Sequence, residues 1–158
     1  MSAFTLKTFD ELTTAELYAI VAARTAVFIV EQNCPYQDTD GLDAHCQHLY
    51  RMNNGDIEAY LRIFDRSSVA DHHSPRREGV ASLGRIITTE SARGTGLGHQ
   101  LVETGIEHVR ATMPHVYTVF ISAQEHLAET FYATHGFRRV SEPYLEDDIP
   151  HVDMELTL

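Results

Sequence analysis

Arg93-Gly94-Thr95-Gly96-Leu97-Gly98 places three glycines within five positions at the mouth of a segment that otherwise reads as a helix. Glycine costs backbone entropy and weakens a helix start, so this density calls for a main chain that turns through positive φ or approaches a ligand closely. Phosphate meets that demand. Unpaired amides of a first helical turn, with about half a positive charge from the aligned peptide dipoles, hold an anion without any lysine. The spacing is neither G-x-G-x-x-G nor G-x-x-x-x-G-K-[ST], which excludes the dinucleotide and Walker phosphate loops. A glycine-rich turn that only lets a helix pack closely is the other account of the same residues.

The remaining residues with chemistry in them fall into no recognised pattern. Among ten histidines, His45 and His48 flank Cys46, and His72 adjoins His73, but neither spacing is that of a zinc site, so no metal is expected. Asp38-Thr39-Asp40-Gly41 is followed by Leu42 where a calcium loop needs its next ligand. Cys34, before Pro35, has no signalled base partner and reads as a core or pocket thiol rather than a nucleophile. Cys34 and Cys46, the only cysteines, make no disulfide framework and are expected as free thiols in a reducing cytoplasm.

The elements that must carry these residues alternate between strand and helix. Thr5 to Phe9 reads as a first strand, and Thr13 or Thr14 can cap a helix whose apolar face holds Leu17, Ile20, Val21, Val27 and Phe28. Asn33 to Asp43, with Pro35, three Asp and Gly41, is a loop. His48 to Met52 and Glu58 to Phe64 flank Asn53-Asn54-Gly55, the signal of a tight hairpin. Ser67 to Glu78, which includes His72 and His73, is a polar surface connection. A strand from Val80 to about Thr88 leads into the glycine cluster. Leu97, Leu101, Val102, Ile106 and Val109 recur at helical spacing over Thr95 to Ala111. Val116 to Ile121 is a buried strand, Glu125 to His135 a short helix stopped by Gly136, and Phe137 to Val140 and His151 to Leu156 are final strands. The layout is α/β or α+β.

Length and composition bound the whole. At 158 residues, 43% apolar and 22% charged, the chain supports one domain, 1–158, with a core of its own. No apolar run nears the roughly 18 residues of a membrane span, and Lys7, Asp10 and Glu11 interrupt any secretory leader, so a cytoplasmic protein is expected. A net charge of −11 repels a polyphosphate backbone, which argues against nucleic acid as partner.

Arg93-x-x-Gly96-x-Gly98 resembles the R/Q-x-x-G-x-G/A motif with which acetyltransferases of the GNAT superfamily grip the pyrophosphate of coenzyme A. Downstream, Ser122-Ala123-Gln124 ends a strand, and Phe131-Tyr132-Ala133-Thr134-His135-Gly136-Phe137 is similar to the second signature of that superfamily. Three further stretches resemble its ElaA-type branch: Ala26 to Tyr36, Gln124 to Leu127, and Tyr144 to His151. The likeness spans nearly the whole chain, with two departures, one of them the long loop from Ser67 to Glu78, which bears on access to the acceptor site. Asp148 stands where glycine is expected, and aspartate tolerates the left-handed backbone that such a turn uses.

The resemblance implies a GNAT fold: a central mixed, mostly antiparallel twisted sheet with a splayed parallel strand pair, flanked by helices. It implies an N-acetyltransferase in which a primary amine, on a small molecule or peptide, attacks the thioester of acetyl-CoA directly within a ternary complex. Ile86, Ile87, Thr88, Arg93, Gly94, Thr95, Gly96, Leu97, Gly98 and Gln124 would then hold the coenzyme. Tyr132 would act as general acid toward the departing thiolate, its ordinary pKa of about 10 keeping it protonated at neutral pH. Tyr132 and Phe131 as simple core aromatics are the alternative. For the base, Glu31, His48, Glu146 and His151 are candidates, with Glu146 and His151 favoured. Glu146, Asp147 and Asp148, together with Asp38, Asp40 and Asp43, would favour a cationic acceptor. A non-catalytic acyl-CoA-binding or sensing module is the rival reading, and strand edges leave room for a homodimer.

Overall fold

A computed structural model describes residues 3–70 and 75–158. His72 and His73, with the middle of the polar connection, lie outside the described residues. The chain divides into two compact units, one formed by Met1–Ile63 with Arg85–Val102 and the other by Phe64–Gly84 with Glu103–Leu158. Strands β3 (Asp56–Asp65) and β4 (Val80–Thr88) and helix α2 (Leu97–Thr112) each run through both.

In the first unit, β1 (Thr5–Thr8), β2 (Gln47–Asn53) and β3 form an antiparallel meander. The β2–β3 turn is the Asn54-Gly55 pair, with φ of +51° and +87°, the doubly left-handed geometry whose twist matches the strands it joins. Helix α1 (Thr14–Arg24) starts as its sequence dictates. Thr13 Oγ1 accepts from Glu16 N at 3.1 Å while Glu16 Oε2 accepts from Thr13 N at 2.8 Å, a complete capping box. From Thr25–Glu31 the helix widens to the π form, across a run rich in β-branched residues that fit the α-helix poorly. Ile20, Ala23 and Val27 pack with Tyr50, Ile57, Tyr60 and Ile87 into this unit's core.

In the second unit, β4 pairs in parallel with β5 (Thr118–Gln124) for three rungs only, Val80↔Thr118 to Ser82↔Phe120. β5 pairs antiparallel with β8 (Ile149–Thr157) along its full length, and β8 also pairs with β6 (Arg138–Arg139) and β7 (Tyr144–Glu146). Eight strands, with β4 and β5 paired in parallel and β1 with β2, β2 with β3, and β8 with β5, β6 and β7 paired antiparallel, make the sheet mixed and mostly antiparallel, as expected. The five apolar residues read at helical spacing on α2, Leu97, Leu101, Val102, Ile106 and Val109, are all buried. The segment read as one helix up to Gly136 is instead α3 (Glu125–Ala128) and a 3-10 turn, Tyr132–His135, ended by Gly136 at φ +92°. No described helix is long and apolar enough to cross a membrane.

Candidate active site

The glycine cluster is built by the first unit. Strand β4 ends at Thr88, a 3-10 turn spans Glu90–Ala92, and α2 opens at Leu97. Gly94 and Gly96 adopt φ of +75° and +82°, the left-handed region that other residues enter at a cost. A Cβ built on either would meet nothing within 4 Å. Close packing against the protein therefore does not explain these two glycines; conformation does, and it leaves open space beside the main chain. Gly98 lies inside α2, where its φ is not positive. Thr95 Oγ1 donates to Ala92 O at 2.7 Å and Gln100 N to Gly96 O at 3.2 Å, which fixes the loop and begins the helix. Leu97 is buried and can offer a ligand only its backbone.

Arg93 ties this loop to two neighbours. Its Nε donates to Thr88 O at 3.1 Å and its Nη2 to Glu31 Oε2 at 2.7 Å. The loop's one arginine is thus already paired with a carboxylate at the end of the π-helix. The sequence-predicted residues Ile86, Ile87 and Thr88 come to the same loop through this bond, with Ile87 anchored in the core.

In the second unit, a polar group spans three adjacent strands. The β7–β8 hairpin turns through Asp147 and Asp148 at φ +48° and +62°, so the aspartate in the glycine position takes the left-handed conformation after all. It sets Tyr144 opposite His151, which in turn lies opposite Gln124 on β5. The His151 and Tyr144 rings stack at 6.2 Å with 24° between planes. His151 Nδ1 lies 2.7 Å from Ile149 O, and since a carbonyl only accepts, that nitrogen carries the hydrogen in neutral His151. The lone pair is then on Nε2, 3.7 Å from Glu146 Oε2. Tyr144 donates to Asp153 Oδ1 at 2.6 Å, and Ser122 Oγ lies 2.5 Å from the Tyr144 hydroxyl and 3.3 Å from Glu146 Oε2. In the sequence Ser122 and Tyr144 stand only as members of the resembling stretches, with no role given, and Asp153 only within the final strand. Only the pairing of β7, β5 and β8 brings them to Glu146 and His151.

Tyr132 sits among aromatics, its ring edge-on to Phe131 at 5.0 Å and to Phe137 at 6.2 Å. Burial alone pushes its hydroxyl well above the usual tyrosine range, so it holds its proton more firmly than a free phenol. Gln124 ends β5 and stands at the cap of α3.

The structure reassigns the other base candidates. His48 is fully buried, with Nε2 bonded to Asp43 O at 2.9 Å and Nδ1 to the Tyr60 hydroxyl at 2.8 Å; burial lowers its pKa and keeps it neutral. It serves the core. Glu31 is held by Arg93. The acidic loop also proves different from its reading as a lure for cations. Asp38, Asp40 and Asp43 meet Arg24, Arg62 and Arg85 in one network: Arg24 reaches Asp38 at 2.9 Å and Asp43 at 2.8 Å, and Arg62 reaches Asp43 at 2.9 Å and Asp40 at 2.5 Å. Burial opposes ionisation of Asp40 and Asp43, but these arginines outweigh it and hold both carboxyls below the usual range. Three aspartates are matched by three arginines, so this loop presents no net negative field. Burial pushes the Cys46 thiol up to about 12, which leaves it inert. Among the described residues no group of three His, Cys, Asp or Glu is placed to hold a metal ion.

The family model described as "Acetyltransferase (GNAT) domain" matches residues 25–158, and the chain belongs to that family. Within it, the chain falls in the ElaA-type branch. Protein ElaA of Escherichia coli is 40% identical over 147 residues, covering 92% of this chain and 90% of ElaA. Its crystal structure superposes with a TM-score of 0.85 at 35% identity, over 99% of both chains. An acyl-CoA N-acyltransferase from Pseudomonas aeruginosa gives a TM-score of 0.86 at 41% identity, over 98% of this chain and 99% of that one. A GNAT acetyltransferase from Elizabethkingia anophelis with acetyl-CoA bound shares the fold at 15% identity, with a TM-score of 0.61 over 98% of each chain.

Proposed function

We propose that residues 1–158 form one acetyltransferase domain that moves an acetyl group from acetyl-CoA to a primary amine of a small molecule or peptide, in the cytoplasm. The observation that carries this reading is the pair of left-handed glycines, Gly94 and Gly96, opening α2 beside empty space. A backbone bent this way, with its amides at a positive helix end, suits a pyrophosphate, and it does so despite a net charge of −11. The acetyl-CoA held by the Elizabethkingia anophelis relative and the acyl-CoA substrate named for the Pseudomonas aeruginosa relative support the same choice.

In this reading the main chain from Arg93 to Gly98 holds the pyrophosphate, and the amides of Ile86, Ile87 and Thr88 hold the pantetheine and polarise the thioester oxygen. His151 Nε2 takes a proton from the acceptor's ammonium, and the proton so gained faces the Glu146 carboxylate. The neutral amine adds to the carbonyl carbon, the carbon–sulfur bond breaks, the sulfur leaves with the proton of the Tyr132 hydroxyl, and the second proton shed by the acylated nitrogen returns the tyrosinate to tyrosine through solvent. Preference for a cationic acceptor now rests on Glu146, Asp147 and Asp148 alone.

A module that binds acyl-CoA without chemistry competes, and the burial that makes Tyr132 a poorer acid is the observation in its favour. Thiol release from acetyl-CoA across a panel of primary amines, including a polyamine and an aminoglycoside, separates the two. Turnover on at least one amine is expected. Calorimetric binding of acetyl-CoA with no turnover on any of them supports the module instead.

A further inference from the structure

Arg85 is the one arginine among the described residues with positive φ, at +51°, and it lies within β4 immediately before the three residues assigned to the pantetheine. Its neighbour Gly84 could enter the left-handed region freely, yet the strain falls on a side chain. That side chain is gripped from several directions. Nε lies 2.8 Å from Asp38 Oδ1 as an ion-pair contact, Nη2 donates to Asp38 O at 3.1 Å and lies 3.3 Å from Asp40 Oδ2, and the guanidinium sits 5.8 Å from the centre of the Tyr36 ring.

Neither aspartate needs Arg85 for its charge. Asp38 already holds Arg24 and Asp40 already holds Arg62, both closely and under greater burial. The contacts therefore do more for Arg85 than Arg85 does for the carboxylates. Strained backbone persists where the surroundings over-determine it, and such strain gathers at functional sites. Downstream, Ile87 is fixed in the core. The peptide planes between residues 85 and 87 are thus pinned at both ends, by an ionic clamp and by an apolar anchor.

We infer that Arg85 is a positioning residue for the coenzyme: clamped by Asp38 and Asp40, it holds the left-handed turn that orients the main-chain amides of Ile86, Ile87 and Thr88. This rests on the reading of those amides as coenzyme-holding. It also gives the Asn33–Asp43 loop a task, that of a rigid counterpart for β4 rather than a bait for cations.

The test is calorimetric titration of wild type, Arg85→Gly, Arg85→Gln and Arg85→Lys with acetyl-CoA, beside thermal unfolding. Glycine accepts the positive φ without strain, and both aspartates keep their other arginines, so Arg85→Gly is expected to unfold within a few degrees of wild type. With the clamp gone it should bind acetyl-CoA about tenfold more weakly, the equivalent of one main-chain hydrogen bond lost from the ligand. Arg85→Gln, also without the clamp, should match it and decides the matter if the glycine variant fails to fold. Arg85→Lys keeps a point charge but not the fork that spans two carboxylates, and should recover part of the affinity. Wild-type affinity in a folded Arg85→Gly or Arg85→Gln protein overturns the inference while leaving the coenzyme reading intact. No binding by wild type overturns the coenzyme reading, and the role of Arg85 with it.

Discussion

Replacing Gly96 by alanine separates what the loop's shape costs from what it is for. Gly96 has φ +82°, and a Cβ there meets nothing within 4 Å, so the penalty in the free protein is conformational rather than steric. A left-handed L-residue costs about 1–2 kcal/mol. The stiffer unfolded chain of the alanine variant returns about 0.4–1 kcal/mol. The net of about 1 kcal/mol corresponds to a fall in Tm of about 2–4 °C for a chain of this size. Coenzyme binding should suffer more, because the methyl enters the space a phosphate would approach. Losing one hydrogen bond to a charged group costs about 1.5–3 kcal/mol, or roughly 10- to 150-fold in affinity. Gly55→Ala is the control, since Gly55 has φ +87° and equally open space but sits in the β2–β3 hairpin. Differential scanning and calorimetric titration of both variants with acetyl-CoA are the assays. Equal losses of stability with loss of binding only in Gly96→Ala are expected. Undiminished binding by Gly96→Ala, or the same loss in Gly55→Ala, refutes the phosphate role of the loop.

Other consequences are as direct. Tyr132→Phe and His151→Asn should each lower kcat by roughly a hundredfold to ten-thousandfold, the range for a lost proton transfer, with acetyl-CoA affinity nearly unchanged; unaltered turnover removes the assigned role from that residue. Glu31→Gln should lower KM for acetyl-CoA severalfold by freeing Arg93, with little change in Tm because the pair is exposed, and a raised KM would mean that the pair itself shapes the loop. Stability should decline in two stages on acidification. His48, Asp40 and Asp43 all have folded-state pKa values below their ordinary ones, so each contributes fully above its unfolded value and loses that contribution as pH falls. The first decline begins below about 6.5 for His48 and the steeper one below about 3.8 for the aspartates. A Tm unchanged from pH 7 to pH 4 contradicts this account of the core histidine.

Local signals in the sequence proved faithful where structure is local. The Thr13 cap, the Asn54-Gly55 turn, the buried stripe of α2 and the bent glycines before it each depend on residues within a few positions of one another, and each was legible. Asp148 could be read as a left-handed substitute for glycine for the same reason. Most of what escaped depends on pairing at long range, the division of Glu125 to His135 into a short helix and a 3-10 turn being a local exception. Arg24 meets Asp38 across 14 positions and Arg85 meets Asp40 across 45, so the charges of the Asn33–Asp43 loop looked free until the fold brought their partners. Strand β7 is only three residues long, and without it Tyr144 has no route to His151. The widening of the helix at Thr25–Glu31 is a change of backbone hydrogen bonding, which the choice of apolar residues there does not announce. Arg85 as a strained residue was invisible for a simpler reason: glycine, not arginine, is the residue whose presence announces positive φ.

In the proposed function the main chain opening α2 binds the pyrophosphate of coenzyme A. Calorimetric titration of the wild-type protein with acetyl-CoA and, in parallel, with S-acetylpantetheine, which lacks the pyrophosphate and nucleotide, tests it most directly. Acetyl-CoA should bind saturably and more weakly as inorganic pyrophosphate is added, and S-acetylpantetheine should bind at least about tenfold more weakly. Equal affinity for the two ligands, or acetyl-CoA binding indifferent to pyrophosphate, would contradict it.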